Sequence, residues 1–206
     1  MSYIVTRIYS GTGDKTVEEL VDLAMQELAP RLASEDGFLR YITIKLSDGR
    51  FGSFSAYENQ QAAKRSLEIA ADWTQTKSDL RNSKLDETLE GETIFTAEGS
   101  VPIAARLHGV IRLYQTDASQ EEVQKAFDAE GPAVIKNNFV GLSRYTVAKL
   151  TDGRVGTFGS FDTQENAQKS SQAAKQVRSQ SGSEIARTLP NDPQVLEATI
   201  LGVRSK

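Results

Sequence analysis

The sequence predicts an α+β protein made of two copies of one six-element unit. Three observations support this. Residues 37–66 match residues 141–170 at 13 of 30 positions. Strand and helix patterns follow one another in the same order in both halves. The segment AEGSVPIAA, residues 97–105, contains Gly, Ser and Pro, which interrupt regular elements. We therefore expect a duplicated domain, with a first repeat over residues 1–98, a linker over 99–105 and a second repeat over 106–206.

Each half opens with a strand and a capped helix. Residues 3–9 alternate and are rich in Tyr, Ile and Val, which is typical of a strand, and residues 110–114 are their counterpart. The capping-box pattern TVEE at 16–19 predicts a helix start before an apolar stripe, and SQEE at 119–122 repeats it. The pair Gly131-Pro132 predicts that the second-half helix is shortened or broken there.

A hairpin recurs as LSDGRFGSF, residues 46–54, and LTDGRVGTF, residues 150–158. The pair Asp48-Gly49 predicts a two-residue type I′ turn, because both central residues of that turn need positive φ. Strands over 38–46 and 50–57, a long helix over 59–81 and a last strand over 89–96 complete the unit. The order β-α-β-β-α-β is that of the ferredoxin-like unit.

The predicted hairpin register sorts side chains between the two faces of the sheet. A two-residue turn sets Lys45 opposite Gly52 and Thr43 opposite Phe54. The more apolar face, with Ile42, Ile44, Leu46 and Phe51, is expected beneath the helices. The other face would be bare unless the duplicate half covers it. On that face the two repeats agree best, and we predict that it carries the binding residues: Arg7, Tyr9, Tyr41, Lys45 and Phe54, and their counterparts Arg112, Tyr114, Tyr145, Lys149 and Phe158.

Three features together resemble the dimeric α/β-barrel superfamily, in its antibiotic-biosynthesis-monooxygenase-like branch. They are the β-α-β-β-α-β halves, the tandem copy, and the segment DGRFGSFSAYENQQAAKRSLEIAADW, whose Ala- and Ser-rich second helix ends in Trp73. The resemblance covers nearly the whole chain. It implies that two ferredoxin-like units of one polypeptide join as an intramolecular dimeric α/β barrel. It also implies a ligand or substrate in a cavity between sheet and helices, or near the barrel.

Trp73 has two readings. Haem-degrading members of the superfamily use a Trp and a His on the second helix with an Asn on the first strand, and Trp73 would take the Trp position. The His and Asn are missing, since the single His is His108 and the first strand carries Thr6 and Arg7. Haem needs an axial ligand, so no haem is expected. The second reading is a binding or packing role on the sheet, and Val177 in the second repeat indicates that the halves have diverged.

Composition argues against several classes of protein. The net charge of −4 and the pI near 5.2 argue against a general nucleic-acid binder. No apolar run approaches the ~20 residues that span a bilayer. A single His and no Cys leave no metal site. The first residues lack a basic segment followed by an apolar one, so we expect a cytoplasmic protein.

Two functions remain open. Buried cations beside phenols require a negative partner, which predicts a small aromatic or anionic organic ligand. For that case the resemblance implies cofactor-independent monooxygenase-like chemistry. Alternatively, Asp or Glu of the other half pairs these cations, in a non-catalytic stress-associated or assembly module. In either case the two halves are expected to pair with each other, and further homodimerisation is compatible with both.

Overall fold

The computed structural model of the chain describes residues 2–77, 80 and 82–206. They form two compact units, one of Met1–Glu92, Ala104–Arg106 and Ala198–Lys206, the other of Thr93–Ile103 and Leu107–Glu197. None of the helices within these ranges is long and apolar enough to cross a membrane.

The first half begins with a strand and a helix that changes its winding. The Thr16 hydroxyl accepts a hydrogen bond from the backbone N–H of Glu19 at 3.2 Å, and the Glu19 carboxylate accepts one from the Thr16 N–H at 2.7 Å. This confirms the predicted capping box. The elements in order are β1 (Tyr3–Ser10), α1 (Val17–Leu23), a π-helical turn (Ala24–Leu28), α2 (Ala29–Ala33), β2 (Phe38–Leu46), β3 (Phe51–Tyr57), α3 (Gln60–Thr76) and β4 (Lys84–Glu98).

The second half repeats this order with a longer first helix. Ser119 and Glu122 form the equivalent capping box. The elements are β5 (His108–Tyr114), α4 (Gln120–Asn138), β6 (Leu142–Leu150), β7 (Val155–Phe161), α5 (Gln164–Ser179), α6 (Glu184–Thr188) and β8 (Gln194–Ser205).

The strands follow the hydrogen-bonded order β1-β3-β2-β8-β5-β7-β6-β4, which closes into an eight-stranded antiparallel barrel. This confirms the predicted α+β fold class. In the first half β3 lies between β1 and β2, and in the second half β7 lies between β5 and β6.

The hairpin turn differs from the prediction. Gly49 donates its N–H to the Leu46 carbonyl at 3.1 Å, and the Leu46 N–H donates to the Arg50 carbonyl at 2.8 Å. The loop therefore has three residues, with only Gly49 at positive φ, +88°. The Asp48 carboxylate explains this form, because it accepts hydrogen bonds from the Arg50 N–H at 3.1 Å and from Nε at 2.9 Å. The second hairpin repeats these bonds, so the recurring Asp-Gly-Arg is a turn motif.

The extra loop residue shifts the register by one, so the predicted division between faces is wrong for β1 and β2, whereas Phe51 of β3 faces the helices as predicted. Tyr41 lies opposite Ser55 and Lys45 opposite Phe51. Arg7, Tyr9 and Tyr41 consequently share the face that packs against the helices, whereas Phe54 lies on the other face, opposite Ile42. The second half shows the same arrangement: Arg112, Tyr114 and Tyr145 face the helices, and Phe158 does not.

Relative apolarity could not assign these faces, because both are buried. Ile4 and Val5 are neighbours on opposite faces of β1, and both are fully buried. The face next to the helices is the more polar one here. The polar residues of this helix-facing side include the arginine and tyrosines that were predicted as binding residues in each half.

Two helix boundaries also differ. The predicted break at Gly131-Pro132 is wrong, since α4 continues to Asn138. The missing N–H of an interior Pro costs about 3 kcal/mol or more, and buried apolar packing on both sides of it, by Phe127 before and Val134 after, offsets that cost. The predicted helix over 59–81 ends at Thr76, and its extension over residues 78, 79 and 81 lies outside the described residues. β4 begins earlier than predicted, at Lys84.

Candidate functional site

A cavity lies between the sheet and the helices of the first half. Its volume is about 50 Å³, measured as the space open to the centres of water molecules. That space suffices for roughly three or four waters, since one water needs about 10–15 Å³. We call it the first-half cavity; its lining is Arg7, Tyr9, Leu20, Val21, Ala24, Leu28, Tyr41, Thr43, Phe51, Gly52, Ser53, Ala70, Trp73, Thr74, Leu80 and Ser83.

Arg7 brings a positive charge into this cavity. Its side chain lies on the β1 face opposite Ser53, and the residue is only 4% exposed. Its one hydrogen bond to the described part of the chain is a long one, 3.5 Å from Nη2 to the Ser66 carbonyl oxygen. No carboxylate of the described residues forms an ion pair with it. Within the part of the chain that the structure describes, this buried guanidinium thus has no countercharge.

Two tyrosines lie beside Arg7 and stay neutral at physiological pH. Burial raises the pKa of Tyr41 far above its usual value, although the Arg7 charge acts in the opposite direction. Burial likewise raises the pKa of Tyr9, whose ring stacks on Phe51 with centroids 5.6 Å apart. Both phenols can therefore donate hydrogen bonds to a ligand. Neither can act as a base at neutral pH.

Trp73 closes the helix side of the cavity. It is 4% exposed, and its indole Nε1–H donates to Glu27 Oε2 at 3.1 Å. Lys77 forms an ion pair with the same carboxylate. The bonds from Lys77 and Trp73 hold the pKa of Glu27 below its usual value, so this carboxylate is charged at neutral pH. Trp73 is thus fixed in place by a hydrogen bond as well as by packing.

The π-helical turn supplies part of the same wall. Ala24 and Leu28 line the cavity, and the Ala29 N–H donates to the Ala24 carbonyl, five residues back. Pro30 explains the change of winding, because its ring would collide with the carbonyl four residues earlier in an α-helix. Such turns occur frequently at functional sites. This one places Glu27 beside Trp73.

Several predicted site residues lie elsewhere. Lys45 pairs with Glu18 at 2.7 Å, with both side chains about half exposed. Lys149 donates to the Ala118 and Gly153 carbonyls at 2.9 and 2.7 Å. Phe54 and Phe158 lie on the opposite face of the sheet. The structure therefore brings together Arg7, Tyr9, Tyr41 and Trp73 from the predicted first-half set.

The second half brings Arg112, Tyr114 and Tyr145 together on its helix-facing side. Its lining differs at the end of the second helix. Val177 stands where the first half has Trp73, and the next residue is Arg178, whose guanidinium lies 5.6 Å from the centre of the Tyr114 ring. The two halves thus share the buried arginine and tyrosines but not the indole.

Sequence reasoning missed three parts of the site. Glu27 and the π-helical turn lie outside the segments that match between the repeats. Pro30 was the one residue in that segment whose type indicated irregular helical winding. Thr43 was assigned to the wrong face because the predicted turn was one residue too short. Ser66 was visible as an identity between the repeats, since Ser170 matches it. Small residues at such positions permit either close helix packing or a cavity, so the identity did not indicate a contact with Arg7.

No family model matches the chain, and no curated protein sequence matches it. Solved structures share its fold at low sequence identity. A "Putative monooxygenase" from Fusobacterium nucleatum subsp. nucleatum superposes with a TM-score of 0.67 at 11% identity, covering 100% of this chain and 94% of that chain. An anthrone oxidase-like protein gives 0.60 at 13% identity, covering 99% and 93%. A mutant chlorite dismutase from Candidatus Nitrospira defluvii gives 0.65 at 12% identity, covering 97% and 90%.

These neighbours bear out the resemblance at the level of fold. The chain has the dimeric α/β-barrel fold, with both halves in a single polypeptide.

Proposed function

We propose that this dimeric α/β-barrel chain binds a small aromatic anion in its first-half cavity, with Arg7 holding the negative charge. The observation that carries the proposal is the burial of Arg7 without a carboxylate partner among the described residues. Removing a charge from water costs several kcal/mol unless a partner compensates it. An anionic ligand supplies that partner.

The rest of the lining favours an aromatic ligand. Tyr9, Phe51 and Trp73 offer ring faces and edges, and Tyr41 offers a neutral phenol donor beside the guanidinium. Aromatic pairs contribute about 0.5–1.5 kcal/mol beyond their buried area. A single-ring ligand exceeds the present volume, so binding requires lining side chains to move apart.

The chemistry that fits this lining is cofactor-independent oxygenation, in which the substrate itself reduces O₂. Two of the fold neighbours bear the names "Putative monooxygenase" and "anthrone oxidase-like protein". In the proposed reaction a substrate CH₂ and O₂ give C=O and H₂O. The carbon loses four electrons and O₂ accepts four, so no further reductant is consumed.

The protein's part in this reaction is to hold the ionised substrate. Tyr9 and Tyr41 have raised pKa values and do not accept a proton from carbon at neutral pH. The substrate therefore enters as its enolate or phenolate. Arg7 stabilises that charge, and the apolar wall excludes water while the anion transfers an electron to O₂.

A second candidate function is a non-catalytic module with the same fold. Two observations favour it: the first-half cavity is small, and Lys45 is paired with a carboxylate of the protein itself, Glu18 of the same half. Arg7 separates the two candidates, because the module requires a protein carboxylate beside it.

The binding proposal is tested with benzoate and its neutral analogue benzyl alcohol. Trp73 is the single Trp of the chain, so its fluorescence reports directly on this cavity. We expect benzoate to bind about 10- to 100-fold more tightly than benzyl alcohol, because a hydrogen bond to a charged group contributes about 1.5–3 kcal/mol. Arg7→Met should remove this preference, and Arg112→Met should keep it.

The chemical step is tested with anthrone in the presence of a chelator, by oxygen electrode. One O₂ should be consumed per anthrone oxidised, at a rate that Arg7→Met lowers. Equal affinities of the wild type for benzoate and benzyl alcohol would contradict the binding proposal. Binding without oxygen uptake would leave the chain as a ligand-binding protein without this activity.

A further inference from the structure

The second half contains a buried arginine whose donors are largely unused. Arg112 is 1% exposed. Its Nη2 donates to the Ser170 hydroxyl at 2.6 Å and to the Ser171 hydroxyl at 2.9 Å. Its Nε and Nη1 are buried and have no hydrogen-bond partner among the residues that the structure describes. Native proteins rarely leave such donors unsatisfied, so each one requires an explanation.

The positive charge of Arg112 is also uncompensated by its hydrogen-bond partners, because both hydroxyls are neutral. Within the described ranges no carboxylate pairs with it, whereas Arg178 in the same half pairs with Asp192 at 2.6 Å. Two serine hydroxyls satisfy one nitrogen but leave the positive charge uncompensated. A water molecule would accept a hydrogen bond from one of these donors, but as a neutral molecule it would not compensate the charge of the guanidinium.

Two further polar side chains lie on the same face of the sheet as Arg112. Thr157 lies directly opposite Arg112 in the β5–β7 ladder; within the described residues its buried hydroxyl forms no hydrogen bond of regular geometry, although its proximity to the Tyr145 phenol lowers the pKa of that tyrosine. Tyr145 is buried on the same face. Burial and the neighbouring Tyr114 raise the pKa of Tyr145 to about 12, although Arg112 acts in the opposite direction. Its hydroxyl therefore remains a donor at neutral pH.

The side chains beside Arg112 differ from those that line the first-half cavity. Val177 replaces the indole of Trp73, and Arg178 lies over the Tyr114 ring, where the first half has the smaller Thr74. Arg112 therefore shares its sheet face with Thr157 and Tyr145 and lacks the indole that lines the first-half cavity. This combination suits a small inorganic anion.

We propose that the second half binds a small monovalent anion of the chloride type at Arg112, Thr157 and Tyr145, with Ser170 and Ser171 orienting the guanidinium. This site is separate from the first-half cavity and does not depend on the function proposed for it. Its role is to compensate the charge of Arg112 inside the second half.

Thermal unfolding in sodium chloride and in sodium gluconate at equal ionic strength tests this site. Gluconate is a much larger anion than chloride, and equal ionic strength keeps the screening of surface charges the same. We expect the midpoint to rise with chloride and to saturate, by about 2 °C or more. Arg112→Met should lose at least half of that rise. The matched control Arg178→Met removes an arginine that is already paired, and it should keep the rise in full.

Identical midpoints of the wild type in the two salts would overturn the proposal, and so would a full chloride response in Arg112→Met. If chloride also raises the midpoint by binding at Arg7, that part of the rise is lost in the Arg7→Met variant, which identifies it separately. If Arg112→Met does not fold, crystals of the wild type grown in sodium bromide decide. An anomalous peak against Nε or Nη1 of Arg112 supports the site, and its absence overturns it.

Discussion

Trp73→Ala should lower the free energy of unfolding by about 3–5 kcal/mol, the range for truncating a buried Trp. The indole is 4% exposed and forms one wall of the first-half cavity. Its removal joins the space of the side chain to a cavity that already exists, so little of the lost contact is regained by collapse. The substitution also removes the hydrogen bond to Glu27. Urea unfolding followed by far-UV circular dichroism measures this loss.

Two control variants separate the contributions to this loss. Trp73→Phe keeps most of the ring volume and removes only the N–H donor, so its cost should be less than half that of Trp73→Ala. Val177→Ala truncates the counterpart in the second half. It removes fewer heavy atoms than Trp73→Ala does, so it should also lower the free energy of unfolding by less. A loss below about 1 kcal/mol for Trp73→Ala would show that the indole does not pack as part of the core.

Gly52→Ala should be as damaging, for a different reason. A Cβ at position 52 would lie 2.1 Å from the carbonyl oxygen of Arg7 in the neighbouring strand. A backbone carbonyl cannot change rotamer as a side chain can. β1 and β3 would therefore have to move apart beside the cavity. We expect a loss of about 3 kcal/mol or more, at the upper end of overpacking effects.

Gly156→Ala is the matched control for Gly52→Ala, because the two glycines are equivalent in the repeats. There the new Cβ would lie 2.9 Å from the ring edge of Phe158, which can move. Its cost in urea unfolding should therefore be clearly smaller. Equal losses for the two variants would show that the approach of β1 to β3 is looser than 2.1 Å implies.

The repeat, the order of the elements and the fold class could be predicted from the sequence because they depend on patterns that recur locally. The capping boxes at Thr16 and Ser119 and the Asp-Gly pairs at 48–49 and 152–153 each mark an element boundary. These features are properties of a few neighbouring residues. They therefore do not depend on what packs against them.

The faces of the sheet could not be predicted, for two physical reasons. The hairpin loop has one residue more than the turn rule suggested, and a shift of one residue moves every side chain to the other face. Burial of both faces then removes the apolar-against-polar contrast that would have revealed the error. Tyr41 and Arg7 were grouped correctly with each other, since they lie on strands of like parity, but on the wrong side.

The hydrogen-bond and ion-pair partners of the site residues could not be predicted from the sequence either. Glu27 reaches Trp73 from another helix, and the π-helical turn that places it depends on the packing around Pro30. Long-range contacts of this kind follow from tertiary structure. The lack of a carboxylate partner for Arg7 among the described residues belongs with them, because it depends on which carboxylates lie near Arg7 in the folded chain.

The free energy of unfolding of Arg7→Met, measured in buffer free of organic anions, tests most directly whether Arg7 is held unpaired for a ligand. We predict a value within about 1 kcal/mol of the wild type or above it, because the substitution removes an uncompensated buried charge and keeps most of the side-chain volume. A loss of about 3 kcal/mol or more, the cost of breaking a buried ion pair, would show that the protein itself pairs Arg7 and would contradict the proposed ligand.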